Sequence, residues 1–152
     1  MKSLFLGIIF VILGSSFSSC NTDYKAQDEA AIQQYIKDHN LTAIEAQDGL
    51  YYTMDVVGTG EQPAGVYSTV TIHYTGRLLD GTVFDSSEGK APYTNTLTGV
   101  IKGWQYGVPH FKAGGKGKLL IPSHLAYGAS GSGLIGPNTP IMFDIELISV
   151  QN

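Results

Sequence analysis

Two periods of apolar residues divide the chain. Over Lys25 to His39 the residues Ala30, Ala31, Ile32, Tyr35 and Ile36 form an apolar stripe opposite Gln27, Asp28, Gln33, Gln34 and Lys37. That spacing predicts one helix, with Asp23 as its N-cap. Asn40 to Gly49 reads as a connector. From Leu50 the period becomes two. Leu50 to Val57 reads as a strand closed by Gly58-Thr59-Gly60, and Val70, Ile72 and Tyr74 share one face of the next. Asp80-Gly81 signals a hairpin that returns through Val83-Phe84. Tyr93 to Leu97 predicts a short strand, and Val100 to about Val108 a brief helix that Pro109 ends or kinks. Lys118 to Ile121 reads as a strand stopped by Pro122. In the last strand Ile141, Phe143, Ile145 and Leu147 face inward, with Asp144 and Glu146 outward. One mostly antiparallel sheet must therefore cover a single short helix, an α+β arrangement.

The amino terminus follows a different logic. Lys2 precedes the apolar run Leu4 to Leu13, and Gly14 to Ser19 is small and polar apart from Phe17. This is a secretory signal pattern, too short to span a bilayer as a stable helix. Cys20, the single cysteine, stands at its end and excludes an intramolecular disulfide. Phe17-Ser18-Ser19-Cys20 resembles a bacterial lipobox, with Phe17 where Leu is more usual. That resemblance implies acylation of Cys20 and a membrane-anchored lipoprotein exported to a bacterial cell envelope. An ordinary signal peptide with an incidental cysteine is the plainer reading; the place of the cysteine favours the lipobox. The expected division is a signal peptide over 1–19, a lipidated segment over 20–48 with the helix at 25–39, and a folded domain over 49–152.

Charge and composition remove several function classes. Charged residues are 14% of the chain and its net charge is -4, which argues against nucleic-acid binding. His39, His73, His110 and His124 show no paired ligand spacing, so no metal site is expected. Ser130-Gly131-Ser132-Gly133 lacks the strand–turn–helix setting of a phosphate loop and reads as a tight loop. A short amino-terminal helix offers little interface area, so a monomer is expected.

Five segments in chain order carry a further resemblance. They are Val70-Thr71-Ile72-His73-Tyr74-Thr75-Gly76, then Asp80-Gly81 with Phe84-Asp85-Ser86-Ser87, Val100-Ile101-Lys102-Gly103-Trp104, Ala126-Tyr127-Gly128, and Phe143-Asp144-Ile145-Glu146-Leu147. Alone, each aromatic in them reads as a core residue and Asp85-Ser86-Ser87 as a turn or cap. As an ordered set over about Gly49 to Val150 they resemble the FKBP family of peptidyl-prolyl isomerases. The resemblance implies a curved antiparallel sheet wrapped on a short helix, with the site between them. It implies Trp104 as the pocket floor, Tyr74, Phe84 and Phe143 as walls, and Asp85 beside Tyr74 and the rotating carbonyl. Tyr127 would offer its hydroxyl to the substrate backbone. Tyr93, Val100 and Ile101 would line the rim, and Leu134 and Ile135 would overhang it on a loop. No cofactor is implied, and the partners would be proline-containing polypeptides. A non-catalytic chaperone or binding module for such segments would use the same pocket, and a structural lipoprotein would carry it unused. Asn95, the shortened Thr98-Gly99 and Ser132-Gly133 depart from the family pattern and imply a more open site.

Overall fold

The computed structural model describes residues 23–152; the signal segment and Cys20 lie outside the described residues. Helix α1 spans Tyr24–Asp38, and the Asp23 carboxylate accepts from the Ala26 N–H at its start. Ile32 is fully buried against Tyr51, Leu120 and Met142. The helix thus packs on the domain, a point the periodicity left open. Asp28 departs from its expected outward place: it is 3% exposed, and Oδ2 accepts from the Ser123 N–H and Oγ at 2.8 and 2.5 Å. A buried carboxylate is tolerated only where hydrogen bonds replace its water, and here they come from a residue 95 positions away.

The sheet among the described residues comprises β1 (Ala43–Glu45), β2 (Tyr51–Thr53), β3 (Thr69–Leu78), β4 (Val83–Ser86), β5 (Tyr93–Thr96), β6 (Lys116–Ile121) and β7 (Ile141–Gln151). Its order is β1-β2-β6-β7-β3-β4, with β5 also paired to β3, and every pairing is antiparallel. Two expectations change. The segment Asn40 to Gly49 contains β1, and the strand expected over Leu50 to Val57 narrows to β2 plus a single bridge between Val56 and Lys116.

Alternation along the strands sends side chains to two faces. Leu50, Ile72, Leu119, Ile121, Ile141 and Leu147 fill the inner face, while Leu120 and Met142 meet α1 on the outer one. Helix α2 (Lys102–Gly107) lies on the inner face and runs into a 3₁₀ turn, Val108–His110, that holds Pro109. It starts later than expected because Val100 (φ -119°, ψ 172°) and Ile101 (φ -58°, ψ 151°) are extended. Gly103 and Gly107, one turn apart, let α2 approach β6. A β-carbon on Gly103 would lie 2.4 Å from Ile121, and one on Gly107 2.5 Å from Leu119. That close seating carries Trp104 into the inner face.

β4 is bulged. Gly76 pairs with Asp85 and Arg77 with Val83, leaving Phe84 as the extra residue. A bulge turns its strand locally and re-aims a side chain. On the outer face Arg77 and Lys118 meet Asp144, and Lys116 meets Glu146 at 3.0 Å. These pairs are partly exposed and contribute little each.

Candidate active site

Between α2 and the inner face lies a cavity of about 280 Å³. β3 supplies Tyr74, β4 Phe84 and Asp85, β5 Tyr93 and β7 Phe143; the extended link before α2 supplies Gly99, Val100 and Ile101, α2 supplies Trp104, and the turn after β6 supplies Tyr127. The rings meet edge to face. Trp104 stands at 80° to Tyr74 with centroids 5.4 Å apart, at 82° to Phe143 (5.2 Å) and at 82° to Tyr93 (6.1 Å). Phe84 meets Phe143 at 89° and 5.5 Å. Such pairs hold each other's orientation as well as burying area. Trp104 Nε1 is the buried side-chain donor without a hydrogen-bond partner among the described residues.

The polar groups are few and directed. The Tyr74 hydroxyl donates to Asp85 Oδ2 at 2.6 Å, and the Ser86 N–H donates to Oδ1 at 2.8 Å. Burial, then the bond to Asp85, hold the Tyr74 hydroxyl well above the usual phenol range. Burial, then the Asp85 charge, push Tyr127 up as well. Both stay neutral donors at ordinary pH. Asn95 Nδ2 donates to the Tyr93 hydroxyl at 2.7 Å, while its Oδ1 accepts from the Thr96 N–H. Ser87 Oγ, buried, accepts from the Tyr74 N–H at 2.9 Å and so ties the end of β4 to β3.

The cavity therefore gathers Tyr74, Phe84, Asp85, Tyr93, Val100, Ile101, Trp104, Tyr127 and Phe143. Leu134 and Ile135 are not among its lining. They occupy a tight turn in which Ser132 and Ile135 exchange backbone hydrogen bonds of 2.8 and 2.9 Å. Ile135 turns into the core and Leu134 is 67% exposed. Three supporting residues escaped sequence reasoning as site elements: Gly76, Ser87 and Asn95. Asn95 was visible only as a departure, and Gly76 only as the last residue of the Val70 to Gly76 segment. A second recess of about 460 Å³ shares only Tyr74 with this lining and is lined chiefly by polar and charged residues, among them His73, Glu88, Lys116 and Glu146.

The family model described as FKBP-type peptidyl-prolyl cis-trans isomerase matches residues 60–148, more than half of the chain. The chain belongs to the FKBP family. FkpA of Buchnera aphidicola subsp. Schizaphis graminum is 44% identical over 110 residues, covering 71% of this chain and 43% of that protein. The macrophage infectivity potentiator of Trypanosoma cruzi is 33% identical over 169 aligned positions, covering 99% and 86%. The crystal structure of FkpA from Escherichia coli matches with a TM-score of 0.73 at 39% identity, over 84% of this chain and 61% of that one. This FKBP thus spans less than half the length of the Buchnera protein. The segment matched by the family model includes the cavity-lining residues and leaves out α1, β1 and β2.

Proposed function

We propose that this FKBP is a peptidyl-prolyl cis-trans isomerase that turns X-Pro bonds in exported proteins without covalent chemistry. The observation that carries this is the cavity itself: an aromatic enclosure whose polar groups are neutral hydroxyls and one carboxylate already bonded to Tyr74. Among the described residues its lining includes no Ser, Cys, Lys or His to act as a nucleophile.

Rotation about the C–N bond faces a barrier of ~18–20 kcal/mol set by amide resonance. In the twisted state that resonance is lost, the amide is less polar and the nitrogen is more pyramidal. An apolar, water-poor site disfavours the planar amide relative to the twist. An acceleration of ~10⁴–10⁶ needs only about 5–8 kcal/mol of differential stabilisation. In this reading Trp104 carries the proline ring, with Tyr74, Phe84 and Phe143 as walls. The Ile101 amide and the Tyr127 hydroxyl hold flanking carbonyls so that a single bond turns. Asp85, fixed by Tyr74 and the Ser86 amide, presents its charge to the turning carbonyl. Tyr93 and Val100 form the rim, and Leu134 contacts the client chain further out.

Trp104 is the chain's single tryptophan, so its fluorescence reports on the cavity. Titration with a short Xaa-Pro peptide shifts that emission with saturation, and the matching Xaa-Ala peptide does not. Equal responses to both peptides defeat the proline reading. Binding without turnover leaves the binding-module alternative.

The same proposal includes anchorage through acylated Cys20 to a bacterial envelope membrane. Membrane fractionation tests it: the native chain stays with the membrane and Cys20→Ala is released. An unchanged distribution contradicts it.

A further inference from the structure

Helix α1 lies outside the matched family segment, yet a buried carboxylate joins it to the strand end that leads into the cavity. Ser123 opens the 3₁₀ turn Ser123–Leu125 that follows Pro122. An N–H at the start of such a turn has no partner within it. Asp28 Oδ2 supplies that partner and takes the Ser123 hydroxyl as well. From Ser123 the path to the site is short. The Ala126 N–H donates to the Ser123 carbonyl at 2.9 Å, and the next residue is Tyr127. Hydrogen bonds fix the segment around Tyr127 on both sides. On the far side the Asn138 N–H donates to the Gly128 carbonyl at 2.8 Å; on the near side the fixed point is Ser123.

An apolar residue at position 28 would dock α1 as Ile32 does. A carboxylate adds what packing cannot, a directional hold on one backbone N–H and one hydroxyl. We propose that Asp28 is a positioning residue for the site: it holds the segment from Ser123 to Tyr127 so that the Tyr127 hydroxyl meets the substrate backbone. Helix α1 is then a working part of the isomerase. The inference rests on the substrate-holding role assigned to Tyr127 above.

A double-mutant cycle in the full-length chain in detergent tests it. The catalysed isomerisation of an Xaa-Pro peptide is followed at several peptide concentrations, with near-ultraviolet circular dichroism to verify folding. Tyr127→Phe and Asp28→Ala each raise KM by about three- to tenfold with kcat little changed, the loss of one substrate hydrogen bond. Asp28→Ala adds nothing in a Tyr127→Phe background. Asp28→Asn restores most of the affinity, since its carboxamide oxygen accepts the same two bonds. If Asp28→Ala does not fold, Ser123→Ala removes the hydroxyl alone and carries the same comparison. A raised KM for Tyr127→Phe with an unchanged KM for Asp28→Ala overturns the proposal, as does an undiminished effect in the double variant. An unchanged KM for Tyr127→Phe instead removes the role of Tyr127, and this route with it.

Discussion

The ring of Phe84 lies over Gly76: a β-carbon at Gly76 would stand 2.4 Å from Phe84 Cε2 and 2.9 Å from Phe143 Cε1. The bulge in β4 and the missing side chain in β3 are two halves of one device. The bulge turns Phe84 across the neighbouring strand, and only glycine leaves room for the ring there. Gly76→Ala is therefore expected to displace Phe84. Misplacing a wall of the cavity lowers kcat/KM by about ten- to a hundredfold, against an overpacking cost of about 1–3 kcal/mol. Peptide isomerisation beside urea unfolding measures both. Full activity in Gly76→Ala shows that the ring need not lie there.

The Tyr74–Asp85 bond gives a second prediction. Tyr74→Phe keeps the ring and removes the donor at 2.6 Å. The expected loss in kcat/KM is about three- to tenfold. An unchanged rate excludes the hydroxyl from the mechanism.

Alkaline stability follows from the same residue. Burial, then the bond to Asp85, raise the Tyr74 pKa in the fold. An unfolded tyrosine ionises near pH 10, with pKa about 10. Above that pH the unfolded chain loses its proton first, so the stability from this group is full below pH about 10 and is lost as pH rises towards the folded value. As pH rises from about 10 to about 11.5, wild type should lose more stability than Tyr74→Phe. Equal losses in urea unfolding contradict the shift.

Acid sensitivity has a different source. Burial, then the Lys25 charge, lower the His124 pKa, against the opposing pull of Asp48 and Asp28. The unfolded chain takes up this proton first as pH falls below about 6.5. Stability from neutral His124 is therefore full above that pH and declines as pH falls through the folded value. His124→Gln should flatten this part of the stability profile, and an unaltered slope contradicts the assignment.

Seating of α2 supplies the last prediction. Gly103→Ala places a methyl against Ile121 on β6. It should cost about 1–3 kcal/mol of stability and shift Trp104 emission. Denaturant unfolding followed by that emission reads both.

Much of this was legible in the sequence. Alternation along Val70 to Tyr74 and Ile141 to Leu147 marked β3 and β7, which form the long central pair, and Asp80-Gly81 marked the hairpin into β4. The cavity residues were different: periodicity placed Tyr74 and Phe143 on inner faces, but their grouping came from the family resemblance. Residues that act through remote partners stayed hidden. Asp28 looks like one more polar helix position until Ser123 is beside it, and Gly76 looks like a strand ending until Phe84 bulges over it. Leu134 and Ile135 show the same limit. Adjacent in a glycine-rich turn, they point one to solvent and one to the core, and no local pattern separates them.

The central claim is turnover by a cavity that uses shape and solvation. Its most direct measurement is the rate of cis–trans exchange of a short Xaa-Pro peptide with residues 23–152, beside the Asp85→Leu and Phe143→Ala variants. Acceleration in the native chain, with large losses in both folded variants, is the result this account predicts. No acceleration by the native, folded protein, or acceleration that survives both substitutions, contradicts it.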